Sequence, residues 1–411
     1  METPATSTKT LRQRVEDAYN QHFGEAPEVV ARAPGRVNLL GAHVDYSEGW
    51  VLPAAIDRAV WVAAGPAQGL DLVSLDFDER FETSLDMLPP PVAQRAGGQR
   101  SARWSDLPVG LAWCLAREGH TPPGIRAVFT SDVPMGAGVS SSAAVEMAFL
   151  KAFEALAGPE SLGFGESEDD GARRALLGRA VENDYLGVGS GVMDQYASLH
   201  GEPGRALFLD CRTLRHRSVP LPADGVVLVA DSGVRRRLSA SGFNDRRAQC
   251  EEAVATLRPR ILERTGESIQ TLRDVDTETF ELLAHHLPIE LRRRAQHAIE
   301  ECARVRAGAD ALERADLTTF AALVRRSHIS SRDLYEVSIP EIDTLAAAAW
   351  AADGCWGARL SGGGFGGCVT ALVRADAVDT VTTAMADAFE GSYGRRPEIF
   401  TARVSDGAAV V

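Results

Sequence analysis

In Pro134-Met135-Gly136-Ala137-Gly138-Val139-Ser140-Ser141-Ser142-Ala143-Ala144, a glycine-rich turn runs straight into a helical pattern. Val145, Met147, Phe149, Leu150, Phe153 and Leu156 recur there at roughly helical spacing. Glycine at this density buries nothing and costs backbone entropy, so it belongs where another group approaches the main chain closely. A turn of this kind feeding a helix N-terminus offers unpaired N–H groups and the positive end of the helix dipole, which suit a phosphate. Ser140, Ser141 and Ser142 fall at the N-cap and first turn, where serine is favoured. A hydroxyl there also suits Mg²⁺. A second stretch, Ser361-Gly362-Gly363-Gly364-Phe365-Gly366-Gly367-Cys368, lies between two strand-like runs. Two such loops point to a nucleotide.

The familiar phosphate loops are excluded. A P-loop ends in Gly-Lys-Ser/Thr, and the only lysines, Lys9 and Lys151, do not follow glycine. No strand lysine or His-Arg-Asp loop of the protein-kinase type is present. Gly187-Val188-Gly189-Ser190-Gly191 loosely fits a dinucleotide turn but follows no strand-like run.

At 411 residues the chain is long enough for two domains. A net charge of −14 argues against a nucleic-acid partner. Six scattered cysteines without a Cys-x-x-Cys pair argue against a cysteine metal site and fit a reducing compartment. Met1–Thr10 is polar and no run of 18 apolar residues exists, so the expectation is a cytoplasmic protein with no membrane partner.

Hydrophobic patterning predicts helices over Leu11–Phe23, around Trp104, over Asp245–Arg264, Leu287–Arg314 and Val378–Phe389. Strands are predicted at Val29–Arg32, Ala59–Ala64, Ile125–Thr130, Ala206–Asp210 and Val226–Ala230. Residues 1–9 read as a tail, Pro89–Arg100 as a loop and Gly158–Asp170 as an acidic loop between helices. Interleaved strands and helices indicate α/β or α+β, with a boundary near Val219-Pro220-Leu221-Pro222.

Two further stretches carry charge. Ala33-Pro34-Gly35-Arg36-Val37-Asn38-Leu39-Leu40-Gly41-Ala42-His43-Val44-Asp45-Tyr46 gathers an arginine, a histidine and an aspartate. Gly191-Val192-Met193-Asp194-Gln195 adds a carboxylate, with Glu182 upstream. Taken in order with the two glycine loops, these stretches resemble the GHMP small-molecule kinases, and within them the galactokinase family. Met193-Asp194-Gln195-Tyr196, Leu207-Phe208-Leu209-Asp210-Cys211-Arg212 and Asn244-Asp245-Arg246-Arg247-Ala248-Gln249-Cys250 extend the resemblance, which spans about residues 20 to 375.

The resemblance implies an α+β GHMP kinase fold. Its N-terminal half (residues 1–215) would be like domain 2 of ribosomal protein S5 and its C-terminal half (216–411) ferredoxin-like, with ATP in the cleft between them. It implies Asp194 and Arg36 as catalytic residues, Asp194 by the anomeric hydroxyl and Arg36 bridging to the γ-phosphate. Ala42, His43, Asp45 and Phe243 fall at sugar-binding positions. Trp104, Gly136, Gly138, Ser140, Ser141 and Ser142 fall at ATP-binding positions, Trp104 against adenine. Ser142 and Glu182 would hold Mg²⁺. Phosphoryl transfer is mainly positioning and charge neutralisation, which an arginine, Mg²⁺ and N–H donors supply. Asp194 either takes a proton late in the reaction or orients the hydroxyl. A monomer or weak homodimer is expected.

The chain departs from the family on the sugar side. Ala42 replaces a glutamate that in the family binds around the sugar's 6-hydroxyl, Phe243 a tyrosine, Gly233 an asparagine, and Ser361 a threonine. A sugar carboxylate at C6 would meet such a glutamate with about 4 kcal/mol of repulsion at ~4 Å and an effective dielectric of ~20. Alanine removes that cost, plant galacturonokinases share Gly-Ala-His here, and Arg235-Arg236-Arg237 offers cations. The expected activity is therefore an ATP-dependent sugar 1-kinase acting on a galactose-configured sugar altered at C6, galacturonate first. The alternatives are an ordinary galactokinase tolerating the lost hydrogen bonds, and a non-catalytic sugar and ATP sensor.

Overall fold

The computed structural model describes residues 9–95, 102–235 and 241–411. Two sheets organise it. The first comprises β1 (Val29–Leu40), β2 (Trp50–Pro66), β3 (Gly69–Ser74), β4 (Glu79–Ser84), β5 (Ile125–Ser131), β6 (Arg205–Asp210), β7 (Arg215–Pro220) and, from the C-terminal end, β12 (Ala409–Val410). Its main path runs β12-β1-β2-β5-β3-β4, antiparallel except for β3 against β5. The long β2 also pairs with β6, which pairs with β7. The second sheet joins β8 (Gly225–Asp231), β9 (Cys355–Ser361), β10 (Cys368–Arg374) and β11 (Glu398–Ala402) in the antiparallel order β11-β8-β10-β9. With helices between β8 and β9 and between β10 and β11, this is the βαββαβ ferredoxin-like arrangement.

The helices of the first half are α1 (Leu11–Phe23), α2 (Asp106–Arg117), α3 (Ser141–Ala157), α4 (Glu168–Ala180) and α5 (Met193–His200). Those of the second are α6 (Ser241–Thr265), α7 (Thr277–Leu283), α8 (Ile289–Glu313), α9 (Leu317–Asp333), α10 (Pro340–Ala351) and α11 (Val378–Tyr393). α1 is closed by a Thr10–Gln13 capping box and by Gly24 in the left-handed region. Among the described residues no helix is long and apolar enough to cross a membrane.

Three local expectations are corrected. The acidic run at 168–170 is not loop but the first turn of α4, where Ser167 and Asp170 form a capping box and three carboxylates meet the positive helix end. Trp104 lies in the turn before α2, which begins at Asp106. β1 runs eight residues beyond Arg32, straight through Pro34 and Gly35. Its pairing with β2 shifts register between Pro34 and Arg36, a bulge that accommodates both strand-breaking residues. The Pro89–Arg100 expectation holds a short helical turn at Val92–Gln94, and its last residues, 96–100, lie outside the described set, as do residues 1–8 of the tail.

Candidate active site

A cleft of about 340 Å³ collects Arg36, Asn38, Ala42, His43 and Asp45 from the first motif, and Gly136, Gly138 and Ser140–Ser142 from the second. Glu182, Asp194, Arg235, Phe243, Gly362 and Gly363 complete most of its wall. The sequence expectations therefore converge on one place. Trp104 is the exception. It lies outside this wall, its ring nearly parallel to Phe77 at 6.5 Å and its Nε1–H donating to Glu79 at 2.6 Å.

The bulge in β1 aims Arg36. Its backbone N–H leaves the ladder for the carbonyl of Val139 at 3.0 Å, tying the strand to the phosphate loop. Its guanidinium is almost wholly buried and donates to both carboxylate oxygens of Asp194 at 2.9 Å, with a third bond to the Gly138 carbonyl at 2.7 Å. This forked pairing is the strong geometry for arginine and carboxylate. Asp194 sits in the first turn of α5, and the Ser140 hydroxyl also donates to it. Ser140 does stand at the N-cap of α3, but in the left-handed region (φ 61°) and with no capping bond. Its side chain is spent on Asp194 instead.

Ser142 Oγ donates to Glu182 Oε1 at 3.0 Å. Glu182 projects from the π-helical turn Val181–Leu186 that continues α4. Such turns re-aim a side chain at a functional site. Burial, and then the neighbouring charge of Asp194, push its carboxyl up from its ordinary value. Among the described residues no cation pairs with it. A buried carboxylate wanting positive charge, beside the Ser142 hydroxyl, is a hard oxygen donor pair that fits Mg²⁺.

Across the cleft His43, in the left-handed region at φ 56°, packs on Tyr335 at 5.0 Å and Phe243 at 5.2 Å. Asp45 stands against Gly191, where an added Cβ would fall 2.2 Å from its Oδ2. Burial first, and Asp194 second, raise the Asp45 carboxyl to about 6.

The second glycine loop, besides contributing Gly362 and Gly363 to the cleft, packs against main chain. Its glycines admit the first loop and neighbouring main chain: a Cβ on Gly362 would stand 3.0 Å from the Gly138 carbonyl oxygen, and one on Gly366 2.5 Å from that of Val234. Gly233, where the family has asparagine, adopts φ 68°, a conformation both residues tolerate. Arg235 is corrected too. It is committed to a forked pair with Asp231 at 2.7 and 2.8 Å, and its Cδ is the atom nearest a Cβ built on Gly136. It thus borders the phosphate loop; Arg236 and Arg237 lie outside the described residues.

The sequence reading missed the support under the sugar motif. Glu301 on α8 accepts from the N–H groups of Gly41 and Ala42, and Arg359 on β9 donates to the Asn38 carbonyl. Charged residues at buried positions of an apolar helical pattern were the available signal.

Comparison with known proteins accords with this geometry. The galactokinase galactose-binding signature matches residues 17–66, the GHMP kinase N-terminal domain residues 106–202, and the GHMP kinase C-terminal region residues 309–391. A galactokinase of Roseiflexus sp. (strain RS-1) is 40% identical over 407 residues, covering 98% of this chain and 97% of its own. The chain belongs to the galactokinase family. A galactokinase of Chloroflexus aurantiacus is likewise 40% identical, over 96% of each chain. The Lactococcus lactis galactokinase solved with galactose superposes with a TM-score of 0.88 at 30% identity, covering 98% of this chain and 100% of that one. A mevalonate kinase at 16% identity and a TM-score of 0.59 shares the fold. The GHMP kinase fold expected from the motifs is thereby established, as is a galactokinase-family sugar kinase using ATP.

Proposed function

We propose that the protein phosphorylates the anomeric hydroxyl of galactose with ATP to give galactose 1-phosphate. The observation that carries this reading is the forked Arg36–Asp194 pair, facing one cleft with the Ser142–Glu182 pair and the galactose-binding signature. Support for galactose over galacturonate comes from two sides. The similar proteins are galactokinases throughout the sequence relatives above, and the Arg235 charge invoked for a C6 carboxylate is already neutralised by Asp231 at the phosphate side. A C6-altered sugar as the preferred substrate is not supported.

In this reading the sugar hydroxyl attacks the γ-phosphorus, a new O–P bond forms, and ADP leaves with the electrons of the broken P–O bond. Asp194 accepts a hydrogen bond from the attacking hydroxyl and takes its proton as charge moves to phosphorus. Arg36, held beside it, offers positive charge to the transferring group. Ser142 and Glu182 would hold Mg²⁺, which would supply further neutralisation of phosphate charge. N–H groups at the start of α3 receive phosphate oxygens. His43 and Asp45 bind sugar hydroxyls, Ala42 and Phe243 line the sugar side, and the adenine role of Trp104, which stands outside the cleft wall, rests on the family resemblance alone. The Ser140–Ala144 run and Asp194 are intact, which favours catalysis over sensing. Galactose- and ATP-dependent formation of a sugar 1-phosphate, followed by ³¹P NMR, tests the proposal; no product with galactose would refute it.

A further inference from the structure

The sugar motif is held from beneath by a buried polar network that reaches it from the other half of the chain. Glu301, fully buried on α8, accepts from three donors on one oxygen: the N–H of Gly41 at 2.9 Å, the N–H of Ala42 at 3.0 Å and the Ser327 hydroxyl at 2.6 Å. Its other oxygen accepts from Arg304 Nε at 2.7 Å. Burial opposes ionisation, but the Arg304 guanidinium, with Arg359 further off and the Ser327 hydrogen bond, holds the carboxyl below its ordinary value.

His297, one turn earlier on α8, holds the next peptide, on the other side of Ala42. Its Nε2 lies 3.0 Å from the Ala42 carbonyl and its Nδ1 2.8 Å from Ser330 Oγ. A carbonyl only accepts, so Nε2 carries the hydrogen and Nδ1 accepts from Ser330. Ser330 in turn accepts from Arg304 Nη2 at 3.0 Å. Burial keeps the ring neutral, its pKa pushed down to about 4. Polarity thus runs one way through every member, from Arg304 through Ser330 and His297 to Ala42, and from Gly41 and Ala42 back to Glu301. The His297 ring also lies 4.3 Å from Tyr335, which packs on His43 and bonds Tyr46 through their hydroxyls at 2.5 Å.

The loop needs such a clamp. His43 is a non-glycine residue in the left-handed region, a conformation that persists only where surroundings over-determine it. Gly41, Ala42 and His43 must also leave β1 at an angle that points His43 and Asp45 into the cleft.

We infer that Glu301 and His297 are positioning residues for the sugar: by fixing the peptides on both sides of Ala42 they set His43 and Asp45, and so govern sugar affinity without touching substrate. This rests on the proposed galactose site. Glu301→Gln keeps the shape but turns an N–H₂ or a neutral oxygen toward Arg304. It is expected to raise the KM for galactose about tenfold while the KM for ATP stays within about twofold. His297→Leu removes the Ala42 donor and is expected to act in the same direction, by about fivefold or more. His297→Gln, whose Nε2 can still donate to the carbonyl, is expected to recover most of that loss.

The test is steady-state kinetics for all three variants with each substrate varied, alongside melting temperatures. A selective rise in galactose KM, with rescue by His297→Gln, bears the inference out. Lower melting temperatures and active fractions with both KM values at the wild-type level would make the network merely structural and overturn it. Equal rises for both substrates would overturn it too. If Glu301→Gln fails to fold, the two His297 variants decide. A wild type active on galactose, with variants unchanged in KM, removes this inference alone; a wild type inert toward galactose removes the proposed function with it.

Discussion

Gly362 and Gly138 touch backbone to backbone: a Cβ built on Gly362 would stand 2.7 Å from the Cα of Gly138. The two glycine loops, far apart in sequence, are one structural object. Gly362 also adopts φ 82°, which an L side chain resists. Gly362→Ala therefore pushes the phosphate loop away from its partner at a cost of about 1–3 kcal/mol in overpacking and strain. The expected result is a fall of tenfold or more in kcat/KM for ATP, with sugar binding by calorimetry largely kept. Unchanged ATP kinetics would show that the contact does not set the loop.

Asp194→Asn leaves a group that cannot take the sugar's proton and a buried Arg36 without its counter-charge. The account expects kcat to fall by about 10²- to 10⁴-fold, the range for a positioned base. A lower melting temperature should accompany it, because Arg36 is almost wholly buried, loses its counter-charge and keeps at most one of its two bonds to this side chain. A variant retaining wild-type kcat would take Asp194 out of the chemistry.

How much of this was legible beforehand differs by motif. The serine-glycine loop stood out because phosphate binding demands residue types that folding alone does not, whereas Asp194 and Glu182 were legible only through the resemblance to the galactokinase family. The path of β1 through Pro34 and Gly35 was hidden, since both residues argue against a strand and only the β2 register shift shows how they fit. The role of the second glycine loop was hidden for a related reason. Glycine marks close approach but not by what, and here the approaching group is the first loop. Glu301, His297 and Arg304 read as the ordinary polar residues of a helix until α8 is packed beneath Gly41 and Ala42.

The raised Asp45 carboxyl gives a pH dependence. Its folded pKa, about 6, lies above the ordinary value of 3.8, so the folded state binds the extra proton. Its contribution to stability is full below the ordinary value and is lost as pH rises through about 6. Asp45→Asn should therefore melt higher than wild type at pH 7 and lose that advantage near pH 4. Activity runs the other way if, as proposed, an ionised Asp45 accepts sugar hydroxyls. Wild-type kcat/KM for galactose should rise through an apparent pKa near 6 and level off above it. The variant should sit on a plateau roughly tenfold or more lower, without that limb. An unchanged pH profile in the variant would assign the limb to another group.

Glu182 bears the metal expectation. Glu182→Gln removes the buried carboxylate beside Ser142, and the Mg²⁺ concentration giving half-maximal rate should rise several-fold or more. A chelator should abolish turnover in the wild type. An identical Mg²⁺ titration in the variant would move the metal elsewhere.

The most direct test of the central claim is the kcat/KM of the wild-type protein, with ATP and Mg²⁺, on galactose against galacturonate, arabinose, fucose, glucose and glucuronate, with the phosphorylated carbon assigned by ³¹P NMR. The account predicts galactose first, by at least about tenfold over galacturonate, with phosphate on the anomeric oxygen. Galacturonate ahead of galactose, or phosphate at any other carbon, would contradict it.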